Sequence, residues 1–507
     1  MLAELGNGFV ALLHPGALLA LTSGFLMGLV FGTIPGLTAS LAIALILPFT
    51  FSMEISHALV MVMGIYMAGI YSGSITGITI NIPGAPSGAV TAIEGYPMMK
   101  RGDGAKALGL GAFASTIGGA IGALLLMFIA PYMAKVALLF QTADKFSLVV
   151  LALVTVAAVS TGSVVRSVIA TVLGLMIATI GIDPMLAQGR FHFDSAYLIE
   201  GVNLLPAVIG LFAVCELFIQ AENGWKTPEL GNEADSMKVR RRDFIPVWAE
   251  IKEVGLATYL KSSLIGTFIG MLPGGGASMA SFIAYAEAKR TSRHPEKYGN
   301  GSIEGLSASE SANNAMCGGA IIPLLTLGIP GDAVTAIIFG VLLIHGLVPG
   351  PELLVSNFEI VAPLFAALLV SSFLVMLSAL VLGPYYMKIA RTNRAVLYGF
   401  IAMVSVVGTY ASTFSMFQCW VALVIGLLAY AMRKLDYPII PLLMGIILGP
   451  YLEEYLRRSL IVSDMNPSIF FTRPISLSLL VLSLVFIYFL KIRKPRTSAS
   501  AAQTDQS

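Results

Sequence analysis

Charge is scarce in this chain. Only 11% of its 507 residues are Asp, Glu, Lys or Arg, while 57% are hydrophobic; a water-soluble protein carries roughly 25% charged residues. So little charge excludes an ordinary soluble domain and predicts an outer surface that meets lipid. The formal net charge is +2, and no dense basic patch with interleaved aromatics occurs, so no nucleic acid partner is expected. Cysteine is sparse too. Cys215, Cys317 and Cys419 lie far apart in apolar contexts, which reads as small buried hydrophobes and not as a disulfide framework or a metal site. The five histidines, His14, His57, His192, His294 and His345, are scattered with no His-x-x-x-His pair. There is no Gly-x-Ser-x-Gly nucleophile elbow and no Gly-x-x-x-x-Gly-Lys-Ser/Thr phosphate loop. An enzyme is therefore not expected, nor a cofactor or a metal. No Lys or Arg precedes Lys100, and Glu4 stands where a cleaved signal peptide would be basic, so the first apolar segment is read as retained.

Long uncharged stretches fill the rest. A bilayer-spanning helix needs ~20 apolar residues, and 107–134, 146–165, 361–387 and 474–490 supply them. Glycine (51) and proline (25) interrupt many others. The expectation is an all-α, polytopic integral membrane protein of about ten to twelve transmembrane helices. Its parts are a first membrane unit over 1–220, a polar linker over 221–253 that contains Arg240-Arg241-Arg242-Asp243, a second membrane unit over 254–452, and a C-terminal part over 453–507. The last part holds a polar segment, a final helix, the basic cluster Lys491-Ile-Arg-Lys-Pro-Arg496, read as cytoplasmic, and a disordered tail over 497–507.

The two units carry the same pattern. Gly32-Thr-Ile-Pro35-Gly36-Leu-Thr38-Ala39-Ser40 returns as Gly270-Met-Leu-Pro273-Gly274-Gly275-Gly-Ala277-Ser278. Ile82-Pro83-Gly84, followed by Ala89-Val-Thr-Ala-Ile93, returns as Ile329-Pro330-Gly331, followed by Ala333-Val-Thr-Ala-Ile337. Thr79 and Thr326 match, and the ladder Gly28, Gly32, Gly36 returns as Gly266, Gly270, Gly274. Glycines four apart share one helix face and let another backbone approach, so the ladders read first as packing. Spread over a long window, these matches predict two homologous repeats, with inverted copies favoured. Charge placement leaves the orientation open. The basic linker and the basic loop at 289–297 flank one apolar stretch, 255–285, and would lie on opposite sides unless the chain re-enters at Pro273-Gly274.

In hydrocarbon, irregular backbone survives only when buried in protein or lining a wet cavity. Pro35-Gly36, Pro83-Gly84, Pro273-Gly274 and Pro330-Gly331 therefore predict half-helices or hairpins meeting inside the membrane. A half-helix beginning after such a break offers free N–H groups and partial positive charge, which attract anions. Thr38, Ser40 and Ser278 are placed to help. The intervening segments are polar for membrane sequence: Ser72, Ser74, Thr79, Asn81 and Ser87 in the first, Ser309, Ser311, Asn313, Asn314 and Thr326 in the second. Any one Ser or Thr more often bonds back to its own helix. The pair Asn313-Asn314 suits a carboxylate through its amides or sodium through its oxygens. Glu94, Glu310 and Asp332 are the acidic residues nearest the repeated elements and become candidates wherever they lie within the membrane. The candidate substrate- or ion-binding set is thus Pro35, Gly36, Thr38, Ser40, Ser72, Ser74, Thr79, Asn81, Gly84, Ser87, Pro273, Gly274, Gly275, Ser278, Ser309, Ser311, Asn313, Asn314, Thr326, Gly331 and Asp332. None of the repeated windows holds Lys or Arg, which favours dipoles and hydrogen bonds over an ion-paired clamp.

These four motifs, in this order across about 15–450, resemble the large membrane subunit of the tripartite tricarboxylate transporters, the TctA family. The resemblance implies a small membrane subunit of about four helices and a periplasmic substrate-binding protein as partners. It also implies energy from a sodium or proton gradient and substrates that are organic anions such as citrate or other di- and tricarboxylates. Family members differ in substrate, so the compound does not carry over. The site implied is a bacterial inner (cytoplasmic) membrane. The membrane part of an ATP-driven importer, whose ATPase would sit on another subunit, is the alternative; the duplicated, broken spans argue against it. Uphill accumulation separates a transporter from a channel.

Overall fold

In the computed structural model, residues 2–160, 163–183, 185–225, 241–386, 389 and 392–492 are described. Residues 226–240 of the expected linker, Arg240 among them, and the tail beyond Ile492 lie outside them. Helix α1 is Leu2–Leu12, α2 Pro15–Thr33, α3 Ala39–Thr50, α4 Ile55–Ser72, α5 Ile75–Ile80, α6 Gly88–Lys100, α7 Gly104–Ala137, α8 Thr142–Val159 and α9 Val164–Ala178. A small hairpin, β1 Gly181–Ile182 and β2 Gly189–Arg190, precedes α10, Leu204–Glu222. Then come α11 Trp248–Val254, α12 Leu256–Met271, α13 Gly276–Thr291, α14 Ile303–Leu327, α15 Ala333–Ile344, α16 Pro351–Ser356, α17 Phe358–Leu382, α18 Arg394–Thr413, α19 Met416–Lys434, α20 Ile439–Val462, α21 Ile469–Thr472 and α22 Pro474–Ile492. Among the described residues, nine helices are long and apolar enough to cross a membrane, and shorter apolar helices such as α3, α9 and α15 accompany them. The protein is a polytopic all-α membrane protein.

Two sequence boundaries move. The apolar run 146–165 is not one span: α8 stops at Val159, where the sequence turns to Ser160-Thr-Gly-Ser163 and Ser160 is extended. Helix α20 continues across the unit boundary placed at 452 and runs on to Val462. The pairs Glu453–Arg457 (3.0 Å) and Glu454–Arg458 (2.9 Å), at i,i+4 spacing, support that polar extension.

The duplication is visible in backbone geometry. Each residue before proline is pushed out of helical space: Ile34 has ψ 117° and Leu272 has ψ 121°. The glycines that follow, Gly36 and Gly274, sit at φ +92° and +80°. At the second break, α5 ends at left-handed Asn81 and α14 at left-handed Gly328. Each is followed by a matching closure, Ile82 N–H to the Thr76 carbonyl (3.3 Å) and Ile329 N–H to the Pro323 carbonyl (3.2 Å).

The glycine ladders set the packing. A side chain on Gly24, Gly28 or Gly32 would strike α4 at Met61, Ile65 and Gly69, in rising order, so α2 and α4 run parallel in backbone contact. Gly266 and Gly270 press likewise on Ala312 and Met316, making α12 parallel to α14. The corresponding helices of the two copies, α4 and α14, run oppositely. Tyr66 meets Met316, the Met67 carbonyl meets Asn314, and the Ile70 carbonyl meets Asn313. The repeats are therefore inverted.

The conflict over charge placement resolves in the same way. Lys261 on α12 pairs with Glu287 on α13, so the two helices are arms of a re-entrant hairpin and the basic segments at its ends share one face. Helix α11 meets α12 at 94°. Hairpins α2–α3 and α12–α13, the broken helices α4–α6 and α14–α15, and the long helices α7 and α17 pack into one core. Around it stands a frame of α8, α9, α10, α18, α19 and α20, in which α9 lies on α20 and α10 on α19.

Candidate functional site

Within each repeat the two breaks meet each other. Gly84 packs on the Gly32 carbonyl, and Gly331 packs on the Gly270 carbonyl. The Gly84 N–H bonds to Gly73 (2.9 Å), and the Gly274 N–H bonds to the Gly331 carbonyl (2.8 Å). Gly275 N–H closes the third break on Leu272 (2.8 Å). Pro273 and Ser278 are half-buried beside it.

Several hydroxyls serve the local backbone. Thr38 caps α3 by accepting from Leu41 N–H (3.2 Å). Thr79 and Thr326 donate to Ile75 and Ile322, four residues back (2.8 and 2.7 Å). Ser72 donates to the Gly28 carbonyl (3.2 Å), Ser311 to that of Ala114 (3.2 Å) and Ser309 to that of Leu306 (2.9 Å). Ser40 is buried in α3, Asn81 is exposed, and Ser87 is buried with no hydrogen-bond partner for its hydroxyl.

The acidic candidates part company. Glu94 belongs to a loop junction: its carboxylate accepts from Tyr285 Oη (2.6 Å) and from the N–H groups of Gly299 (2.6 Å), Gly301 (2.8 Å) and Ser302 (2.7 Å), fixing the entry to α14. Asp332 caps α15 by accepting from Thr335 N–H (2.8 Å), and it also accepts from Tyr66 Oη across the repeat boundary (2.9 Å). Glu310 lies fully buried inside the core and accepts from Ser74 (2.5 Å), Thr91 and Ser115 (2.7 Å).

One helical turn on, Asn313 and Asn314 are also fully buried. Their amides donate to the carbonyls of Ile70 (3.3 Å) and Met67 (3.2 Å). The Ile70 carbonyl is free because α4 breaks here, where Ser74 N–H turns to Tyr71. Both amide oxygens, Asn313 Oδ1 and Asn314 Oδ1, are buried with no hydrogen-bond partner, as is Thr76 Oγ1. Leaving a buried acceptor unsatisfied costs about 1–3 kcal/mol, so this polar interior is held at a cost.

Sequence reasoning did not reach the side chains around the first break. Arg394, buried at the start of α18, donates to the Pro35 carbonyl (3.1 Å) and to Gln220 (3.4 Å). A side chain on Gly36 would face Gln220, Glu216 and the Tyr398 hydroxyl, and Arg433 pairs with Glu216 (3.1 Å). An arginine from a frame helix thus reaches the first break, although none of the repeated windows holds one. No signal near the motif could have shown this, since Arg394 lies far along the chain.

The two hairpin tips are placed unequally. Gly36 lies by Tyr398, near the start of α18, whereas Gly274 lies against Val156, near the end of α8. Helix α3 is buried along nearly its whole length, but α13 buries only Ala280, Ser281, Ala284 and Ala288. Both tips therefore sit toward one face. That face carries the ties Lys106–Glu250 (2.7 Å), Lys297–Glu253 (3.2 Å) and Arg166–Asp436 (3.3 Å). The opposite face holds Arg457–Asp183 (2.6 Å), Arg190–Glu453 (2.6 Å) and Arg473–Asp144 (2.7 Å).

A duplicated, inverted membrane fold with paired breaks is transporter architecture, and similarity to known proteins agrees. The model of the tripartite tricarboxylate transporter TctA family matches residues 18–444. The chain belongs to this family. As a TctA-family protein it corresponds to the large membrane subunit of a tripartite tricarboxylate transporter. It is 35% identical, over 96% of its own length and 95% of the relative's, to an "Uncharacterized 52.8 kDa protein in TAR-I ttuC' 3'region" of Agrobacterium vitis. It is also 37% identical over 222 residues, 44% of this chain and 92% of the relative, to an "Uncharacterized protein in TAR-II ttuC' 3'region" of Agrobacterium vitis. No solved structure matches.

Proposed function

We propose that this TctA-family chain drives uptake of organic anions, di- or tricarboxylates such as citrate, by symport with sodium or protons. It acts with a small four-helix membrane subunit and a periplasmic substrate-binding protein in the bacterial inner membrane. The observation that carries the reading is the pair of inverted repeats whose broken helices enclose a buried polar interior with unpartnered amide oxygens. The face on which the basic segments at the ends of the α12–α13 hairpin meet, with Arg241, Arg242, Lys289, Arg290 and Lys297, is the cytoplasmic one. Substrate carboxylates meet the helix starts that follow Pro35-Gly36 and Pro273-Gly274. The core, carrying both hairpins, slides against the frame, so that the unequal tip positions are exchanged between the copies.

The test is uptake of labelled citrate, succinate and malate into proteoliposomes holding this chain and the small subunit. The binding protein is added, and an inward sodium or proton gradient is imposed without ATP. Accumulation above the outside concentration under one gradient supports the reading and names the ion. No accumulation under either gradient with folded protein, or uptake that is vanadate-sensitive and indifferent to gradients, refutes it.

A further inference from the structure

Glu310 is a fully buried carboxylate whose hydroxyl donors come from the other repeat. Ser74 follows α4, Thr91 lies on α6 and Ser115 on α7, and all three direct hydroxyls at it. Asn313, one turn on, also lies against the carboxylate, and Gly111 lies beside its stem, where an added Cβ would stand 3.7 Å from Glu310 Cγ. A carboxylate inside the membrane is expensive unless something neutralises it, and the neighbouring cations are engaged elsewhere. Lys106 pairs with Glu250, Lys297 with Glu253 and Lys261 with Glu287. On the packed helices, Glu94 is turned to the 299–302 loop and Tyr285, and Asp332 to Thr335 and Tyr66. Tyr259 lies by Ser307, and Cys317 by Tyr66. Tyr71 is the titratable side chain that faces Glu310, and its hydroxyl lies 3.5 Å from that of Tyr386.

We infer that Glu310 is a proton-binding site and carries the coupling proton of transport, an assignment that rests on the ion-driven reading above. Three hydroxyls already approach the carboxylate at direct hydrogen-bond distance, so one proton neutralises it without the coordination shell a metal cation needs. The proton adds to Oε2, which then donates to Ser115 Oγ. The displaced Ser115 hydroxyl hydrogen turns to the Gly111 carbonyl, four residues earlier on α7, a bond serine readily makes in helices. Ser74 and Thr91 continue to donate to Oε1. The charge of the core thus changes by one with little movement of side chains, and the ring that senses the change joins both repeats.

The test uses the reconstituted three-component transporter and the labelled acid that the wild type accumulates from the citrate, succinate and malate panel. Glu310→Gln keeps the shape and removes the titration. The expected result is substrate exchange at equal pH within about twofold of wild type, while accumulation driven by a pH gradient falls at least about tenfold. Accumulation equal to wild type overturns the assignment. So does loss of both exchange and accumulation in a folded variant, which would mark a structural role. Wild-type accumulation that follows a sodium gradient and ignores the pH gradient also overturns it, in favour of sodium. If Glu310→Gln does not fold, Glu310→Asp decides, with a shifted pH profile of uptake expected and an unshifted one overturning the assignment. Failure of the wild type to accumulate under any gradient defeats the parent reading instead.

Discussion

Exchange of the two tip positions has a measurable size. Gln141 and Asn393 stand at the N-caps of α8 and α18, which aligns Thr142 with Arg394 and places Tyr398 opposite Phe146 in the inverted copy. Gly274 now lies against Val156. When the copies exchange roles, it moves to the level of Phe146, ten residues away and about 15 Å along the helix at ~1.5 Å per residue. The residue on the same helix face as Val156 at that level is Lys145. With Cys215, Cys317 and Cys419 replaced, Gly274→Cys is paired in turn with Val156→Cys and with Lys145→Cys. A Cβ on Gly274 would lie 2.9 Å from Val156 Cα, so the two positions are in contact in this state and the first pair closes after a small local shift. The left-handed backbone at Gly274 costs roughly 1–2 kcal/mol with a side chain, which lowers yield without preventing closure. The 145–274 pair closes only in the opposite state, under substrate and an ion gradient. Cross-linking is read by mobility shift and uptake is measured in the same vesicles; either cross-link arrests transport, and reduction restores it. If the 145–274 pair never closes while the unlinked protein transports, the sliding motion is wrong.

Gly28→Val drives a branched side chain into the Ile65 backbone and is expected to lower stability by at least about 1–3 kcal/mol, read as a lower melting temperature in detergent; an unchanged value refutes the close packing of α2 on α4. Asn313→Ala with Asn314→Ala removes the donors to Ile70 and Met67 and should abolish uptake with normal expression, whereas normal uptake removes both residues from the site. Arg394→Ala releases the Pro35 carbonyl and is expected to slow uptake severalfold, and rescue by Lys would show that charge alone suffices. Arg457 holds the Asp183 carboxyl down to about 2, with help from the Leu186 N–H. A lowered value means that this contribution is complete above the unfolded value of about 3.9 and is lost as pH falls toward 2. Limited proteolysis around β1–β2 should therefore be flat from pH 8 to 5 and rise only below about 4; in Arg457→Ala it should already be raised at pH 7.

The membrane class, the duplication and the four breaks could be read from residue order, because each rests on a short-range cause. Proline forbids helix at Ile34 and Leu272, glycine permits the reversals at Gly36 and Gly274, and ladders of glycine four apart mark a helix face that must meet backbone. The back-bonds of Thr79 and Thr326 were likewise the local expectation for a hydroxyl in a helix. What surrounds each polar group was not local. Glu94, Glu310 and Asp332 look alike in sequence, yet one anchors a loop, one sits in a ring of three hydroxyls, and one caps a helix while bonding Tyr66. Only tertiary structure decided among them, because the partners lie a repeat away and arrive only once the inverted copies are packed together. The same holds for Arg394 at Pro35 and for the opposed directions of α4 and α14. Short-range sterics wrote the breaks into the chain, whereas the burial of each charge and the direction of each repeat depend on helices that the sequence keeps far apart.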